Sequence, residues 1–119
     1  EYVVSADAAE AAFAGTERPL LLVGHSHVAL AIREAGGAVS GGLAPEGHEI
    51  DLGDGRWLLN PGSVGQPRDG DPRSAWLLLD FRAGRASFRR VAYDIQATQR
   101  EIRERGLPDA LATRLDLGA

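Results

Sequence analysis

Apolar residues in this chain fall in short blocks separated by Gly, Pro and Asp, a punctuation that predicts several short strands with helices at both ends. The first block is Ala-rich. Ser5 can cap a helix from about Ala6 to Ala14, with Asp7 in its first turn and Gly15 just past its end. Leu20 to Val23 is a continuous apolar run between Pro19 and Gly24, which predicts a strand buried on both faces. Val28, Leu30 and Ile32 alternate with smaller residues and suggest a second strand after a tight loop. Residues 36–47 are rich in Gly and Ala and read as a loop or a hairpin connection.

Ile50 and Leu52 then alternate with charges, Gly53-Asp54-Gly55 signals a turn, and Arg56 to Leu59 resumes a strand. Asn60 to Arg73 carries Pro, Gly and Asp too densely for long regular structure. Ala75 to Phe81 and Ala86 to Tyr93 read as strands on either side of a turn at Gly84. Asp94 can cap a helix from Ile95 to about Arg105 that ends at Gly106. Ile95 and Ile102 would share its inner face, while Arg100 with Glu104 and Glu101 with Arg105 are spaced to pair outside. Pro108 suits the first turn of a final helix with Leu111 and Leu115 on one face. Four or five strands with flanking helices predict an α/β or α+β layered fold.

Composition narrows the field. The chain has 119 residues, enough for one domain or part of a larger one, and 44% of them are hydrophobic, enough for a core. No apolar run approaches the roughly 18 residues of a membrane span, so a soluble, cytoplasmic protein is expected. The net charge of -4 argues against nonspecific nucleic-acid binding, which requires cations to neutralise phosphates. All 13 basic residues are Arg, which carries no functional weight here. Disulfides and thiolate metal sites are excluded because Cys is absent. Met is absent too, even from position 1, which leads to the expectation that the chain begins inside a longer gene product.

Two motifs carry the chemistry. Gly24-His25-Ser26-His27 directly follows the apolar run at Leu20 to Val23, where loops at strand ends converge on ligands. Two imidazoles one residue apart can aim at two neighbouring points, so each could hold a different metal. The second motif is Asn60-Pro61-Gly62-Ser63-Val64-Gly65-Gln66-Pro67-Arg68. Its glycines allow consecutive N–H groups to point one way, a nest suited to an anion, and Arg68 could contact a phosphate bidentately. Asn60, Gly62, Ser63 and Arg68 are therefore candidate phosphate-adjacent residues. A plain turn between strands is the competing reading of that segment. His48 reads as a solvated loop histidine, and Asp51, Asp54, Asp69 and Asp71 as turn-forming residues. Trp57 and Trp76 are expected in the core or an interface. Arg82, Arg85, Arg89 and Arg90 are expected to face solvent.

Together the two motifs resemble the calcineurin-like metallophosphoesterases, in particular the small bacterial phosphodiesterases and the diadenosine-tetraphosphatase-like group. The tail, with Val91-Ala92-Tyr93-Asp94 before one helix and Gly106-Leu107-Pro108 before the next, is similar to the same group. The resemblance covers nearly the whole chain. It implies the C-terminal half of an αββα sandwich and two divalent metals (Mn, Fe, Zn or Mg). It further implies that His25 ligates one metal and His27 its neighbour. Metals about 3.5–4 Å apart would clamp a phosphoryl oxygen of a phosphate ester and bring the pKa of bound water towards about 7.

The family's other motifs are missing. Neither Asp-x-His nor Gly-Asn-His occurs, and the two Gly-Asp pairs, Gly53-Asp54 and Gly70-Asp71, are followed by Trp57 and Ser74 where a second Asp would stand. Two histidines do not complete a four-coordinate site. The expectation is a single metallophosphoesterase domain whose N-terminal half, with the catalytic residues, lies outside these 119 residues, and a chain that binds metal weakly and does not turn over alone. Exposed sheet surface at Leu20 to Val23 would then favour association with that half, or a homodimer. The competing expectation is a noncatalytic binding or dimerisation module derived from the same fold.

Overall fold

The computed structural model describes residues 5–119. The elements run α1 (Ala6–Ala14), β1 (Leu20–Leu22), β2 (Ala29–Ala35), β3 (Ala38–Leu43), β4 (Glu49–Asp51), β5 (Arg56–Pro61), β6 (Ser74–Asp80), β7 (Arg85–Val91), α2 (Ile95–Glu104) and α3 (Asp109–Leu117). The seven strands exceed the four or five expected. Residues 36–47 proved to be a hairpin turn followed by β3, and β4 stands as a short strand of its own.

The strands form two sheets. One has the order β1-β5-β2-β3 and the other β4-β7-β6. In the first, β1 runs parallel to β5, with Leu21 opposite Leu58, while β2 is antiparallel to both β5 and β3. Alternation along the strands sorts the side chains. Leu20, Trp57, Leu59, Ala29 and Ala31 face the second sheet and pack with Ile50, Leu77, Leu79, Ala86 and Phe88. Leu21, Val23, Ile32, Val39 and Leu58 face the other way and pack under Ala9 and Phe13 of α1. Helix, sheet and sheet thus stack in layers, the mixed α+β class expected. Full burial of Leu58 and Leu59 contributes about 1.5–3 kcal/mol each.

Ser5 caps α1 as expected, its Oγ accepting the Ala8 N–H at 3.2 Å. Beyond the cap, the C-terminal end of α1 is held by a side chain from β5. The Arg56 guanidinium donates to the carbonyls of Phe13, Thr16 and Arg18 and to Glu34 at 3.2 Å, and lies 5.1 Å from the Phe13 ring centroid. Arg56→Ala should therefore cost about 2 kcal/mol, the scale of hydrogen bonds to a charged group, with α1 losing its end first. Urea unfolding beside amide exchange of residues 9–15 reads both effects, and an Arg56→Ala midpoint equal to the parent's would contradict this account.

Several expectations need correction. Leu20 to Val23 is covered on both faces only in part, with Leu20, Leu21 and Val23 half-buried. Among the described residues β1 pairs only with β5, at the edge of its sheet, and Leu22 is 54% exposed. It is β2 that is buried on both faces from Ala29 to Ile32, because it lies inside the sheet. Of the two tryptophans expected in the core or an interface, Trp57 packs against the core and Trp76 lies outside it. Trp76 projects from the outward face of β6 at 42% exposure, because Ala75, Leu77 and Leu79 take the inward positions. Pro108 stands at the N-cap of α3 rather than in its first turn. Helices α2 and α3 are joined by Arg103 to Asp109 at 2.7 Å and by Gln99, a buried amide donating to the Ala112 carbonyl and Asp116. Among the described residues no helix is long and apolar enough to cross a membrane.

Candidate metal centre

The loop after β1 is built from residues in unusual conformations. His25 and His27 have φ of 79° and 60°, and they are the non-glycine residues with positive φ among those described. Left-handed backbone costs a side-chain-bearing residue roughly 1–2 kcal/mol and persists only where the surroundings over-determine it. Here the chain turns sharply out of β1 and into β2 within six residues, and both imidazoles are carried on the turn. His25 is exposed and His27 half-buried.

The second motif supplies the over-determination. His27 Nδ1 lies 2.9 Å from the Gln66 carbonyl oxygen. A carbonyl only accepts, so the ring donates from Nδ1, and in the neutral imidazole the lone pair is then on Nε2. The Arg68 N–H donates to the His27 carbonyl at 2.9 Å. The two motifs, distant in sequence, therefore close on the same histidine.

Asn60 joins them from below. It is the penultimate residue of β5, beyond the strand limit expected at Leu59, and is fully buried. Its Nδ2 donates to Ser26 Oγ at 2.9 Å and its Oδ1 accepts the Gly62 N–H at 3.0 Å. The side-chain amide thus ties the histidine loop to the Pro61-Gly62 turn. Gly62 has φ 89°, and a Cβ there would lie 2.9 Å from that of Ala75 and 3.3 Å from that of Ala29, so only glycine fits between the sheets. Ser63 Oγ accepts the Gln66 N–H at 2.9 Å.

These contacts change the reading of the nest. Amide groups of Gly62, Gln66 and Arg68 are spent on Asn60, Ser63 and His27, and the Asn60 side chain is enclosed. Of the phosphate-adjacent candidates, Arg68 keeps an exposed guanidinium, oriented by a 2.6 Å bond to Gln66 Oε1.

Sequence reasoning missed a second layer beneath this loop. Asp69 accepts the Ala29 N–H at 3.2 Å and is ion-paired with Arg90 of β7. The side chains are 7% and 4% exposed, so Asp69 is more than a turn former and Arg90 does not face solvent. Arg82, Arg85 and Arg89 do. Arg90 also donates to the carbonyls of Asp71 and Arg73. Nearby, the hydrogen-bonded Arg73 guanidinium holds the Asp71 carboxyl below its ordinary range. Asp54 pairs with Arg33, and Asp51 Oδ1 takes the Gly53 N–H in a turn. His48 is exposed, its ring 6.0 Å from that of Phe88.

As a metal site the residues present fit in part. Two imidazoles stand on one loop, and His27 has Nδ1 engaged by the Gln66 carbonyl. Among the described residues no group of three or more His, Cys, Asp or Glu side chains gathers to hold an ion.

Comparison with known proteins agrees with the motifs. A crystal structure of a metallophosphoesterase from Sphaerobacter thermophilus is 43% identical, with a TM-score of 0.92 over 100% of this chain and 49% of that one. An uncharacterized protein of Methanocaldococcus jannaschii is 38% identical over 99 residues, which are 83% of this chain and 39% of the relative. No family model matches the chain. The chain thus spans about half the length of the solved protein and less of the archaeal one. Identity and superposition of this degree across the chain show that it is similar in sequence and fold to about half of a metallophosphoesterase.

Proposed function

We propose that this chain is the C-terminal part of a single metallophosphoesterase domain, and that the whole protein hydrolyses phosphate mono- or diesters with a pair of divalent metals. One observation carries the reading: His27 is fixed through Nδ1 to the Gln66 carbonyl, leaving Nε2 to coordinate. In this proposal His27 ligates one metal and His25 the neighbouring one. Bound metals would supply Lewis acidity towards a phosphoryl oxygen and lower the pKa of a water molecule. The chain's own part is to hold the two rings in place, and Arg68 is positioned to meet an anionic substrate at the rim. The remaining ligands, with the bridging carboxylate, belong to the N-terminal half. The free edge of β1 and exposed Leu22 are where that half would extend the sheet. A soluble, cytoplasmic setting is part of the same proposal.

Hydrolysis of bis-p-nitrophenyl phosphate with added Mn²⁺ tests this. The 119-residue chain should give no hydrolysis above its His27→Ala control. The protein restored with its upstream sequence should be active, and His27→Ala there should lower the rate by on the order of a hundredfold or more, since even outer-shell changes cost ten- to a hundredfold. Metal-dependent turnover by the short chain would overturn the incomplete site. An inactive restored protein would favour a noncatalytic binding or dimerisation module instead.

A further inference from the structure

Buried ion pairs are weak evidence for stability, because apolar residues of similar volume often serve as well. The Asp69–Arg90 pair is nearly enclosed, and Asp69 Oδ1 has no hydrogen-bond partner among the described residues. Its placement suggests what the pair accomplishes. Residues 66–69 run beside 27–29 and meet them at three points. The Gln66 carbonyl accepts a hydrogen bond from the His27 ring, the Arg68 N–H donates to the His27 carbonyl, and the Asp69 carboxylate accepts from the Ala29 N–H. Arg90 comes from the second sheet and grips the far side of the segment through Asp69 and the carbonyls of Asp71 and Arg73. A planar guanidinium can make those bonds at once, which an ammonium cannot. The position of the Gln66 carbonyl, and with it the proton on His27, is therefore anchored to β7.

We propose that Asp69 and Arg90 are positioning residues for His27, holding the 66–69 segment so that the ring is locked with its proton on Nδ1 and Nε2 presented. The inference rests on His27 being the metal-facing histidine of the proposed function, but its test needs neither metal nor substrate. Neither residue would touch the reacting atoms. Both would act through the carbonyl that fixes the ring.

Ring-nitrogen NMR of the ¹⁵N-histidine-labelled 119-residue chain reads the tautomer directly, since only His25, His27 and His48 contribute. Spectra are taken at about pH 8, where an ordinary imidazole is neutral. His27 should show a single Nδ1–H tautomer in the parent chain. Asp69→Asn should shift His27 to a mixture of tautomers. Arg90→Lys keeps a counter-charge for Asp69 but loses the fork, and should shift it in the same direction to a smaller extent. Arg73→Ala, altering an exposed neighbour, should leave His27 as it was. If Asp69→Asn does not melt cooperatively, Arg90→Lys decides by the same criterion. A His27 that stays in one tautomer in every folded variant, or is already mixed in the parent, overturns the proposal. Failure of the hydrolysis assay with a locked His27 would sink the phosphoesterase reading alone.

Discussion

Arg90→Ala should lower the unfolding free energy by about 3–5 kcal/mol, the cost of leaving one member of a buried ion pair without its partner. Total stabilities of about 5–15 kcal/mol make this a large fraction of what holds the fold. Its origin is desolvation. Asp69 is 7% exposed, and among the described residues one of its oxygens lacks a partner and the guanidinium is its only counter-charge in bonding contact. The carbonyls of Asp71 and Arg73 would lose a donor as well. The matched comparison is Arg73→Ala. Its side chain is 45% exposed and pairs with Asp71 near the surface, where an ion pair contributes at most about 1 kcal/mol. Urea unfolding should show the Arg90 midpoint falling far below the Arg73 midpoint with similar slopes. Equal losses would mean that enclosure of the pair contributes nothing. Asp69→Asn combined with Arg90→Met, which removes both charges, should recover much of the loss, because the single changes are coupled through one contact.

A second large effect is expected at Asn60, and its signature is a reversed pH dependence. Asn60→Asp keeps the shape and the oxygen that accepts the Gly62 N–H. It replaces the donor to Ser26 Oγ with a second acceptor inside a fully buried site. Burial disfavours the ionised form, so the introduced carboxyl should have a pKa raised by about three units over its unfolded value near 4. The sign follows. A group whose folded pKa is raised retains its proton in the folded state, so the variant's penalty is smallest below about pH 4 and grows as pH rises through the raised value. By pH 7 the loss should approach about 4 kcal/mol, since one unit corresponds to about 1.4 kcal/mol. Thermal melts from pH 4 to 8 would show Asn60→Asp losing stability relative to the parent as pH increases. A constant difference across that range would mean the carboxyl finds solvent or a cation, and that the enclosure of Asn60 is not maintained in solution.

The legible part of this protein was local. Ser5 and Asp94 marked helix starts because a short polar side chain takes an orphan N–H, and both do so, from Ala8 and Ala97. Gly-His-x-His and the Asn-Pro-Gly-Ser segment carried the resemblance to metallophosphoesterases, with which the solved relative agrees, because each motif meets its backbone requirements within a few positions. The burial of β1 was misjudged for a physical reason. A continuous apolar run says that a strand prefers enclosure, but the number of neighbours it finds depends on strand order, and here it stands at an edge. The same holds for Trp76, whose face was settled by which alternate residues of β6 met the first sheet.

What the sequence by itself determined is the helices, most of the strands, the class of fold and the pair of candidate histidines, since capping, periodicity and motif spacing act over short spans of chain. Only the tertiary structure decided how those histidines are held. Gln66, Asn60, Asp69 and Arg90 lie 34 to 63 positions away from the residues they position, or act through yet another residue, so no spacing rule reveals them. A carbonyl can fix a tautomer, and a buried charge can require its partner, only after the two sheets have brought distant segments within hydrogen-bond distance and removed the water between them.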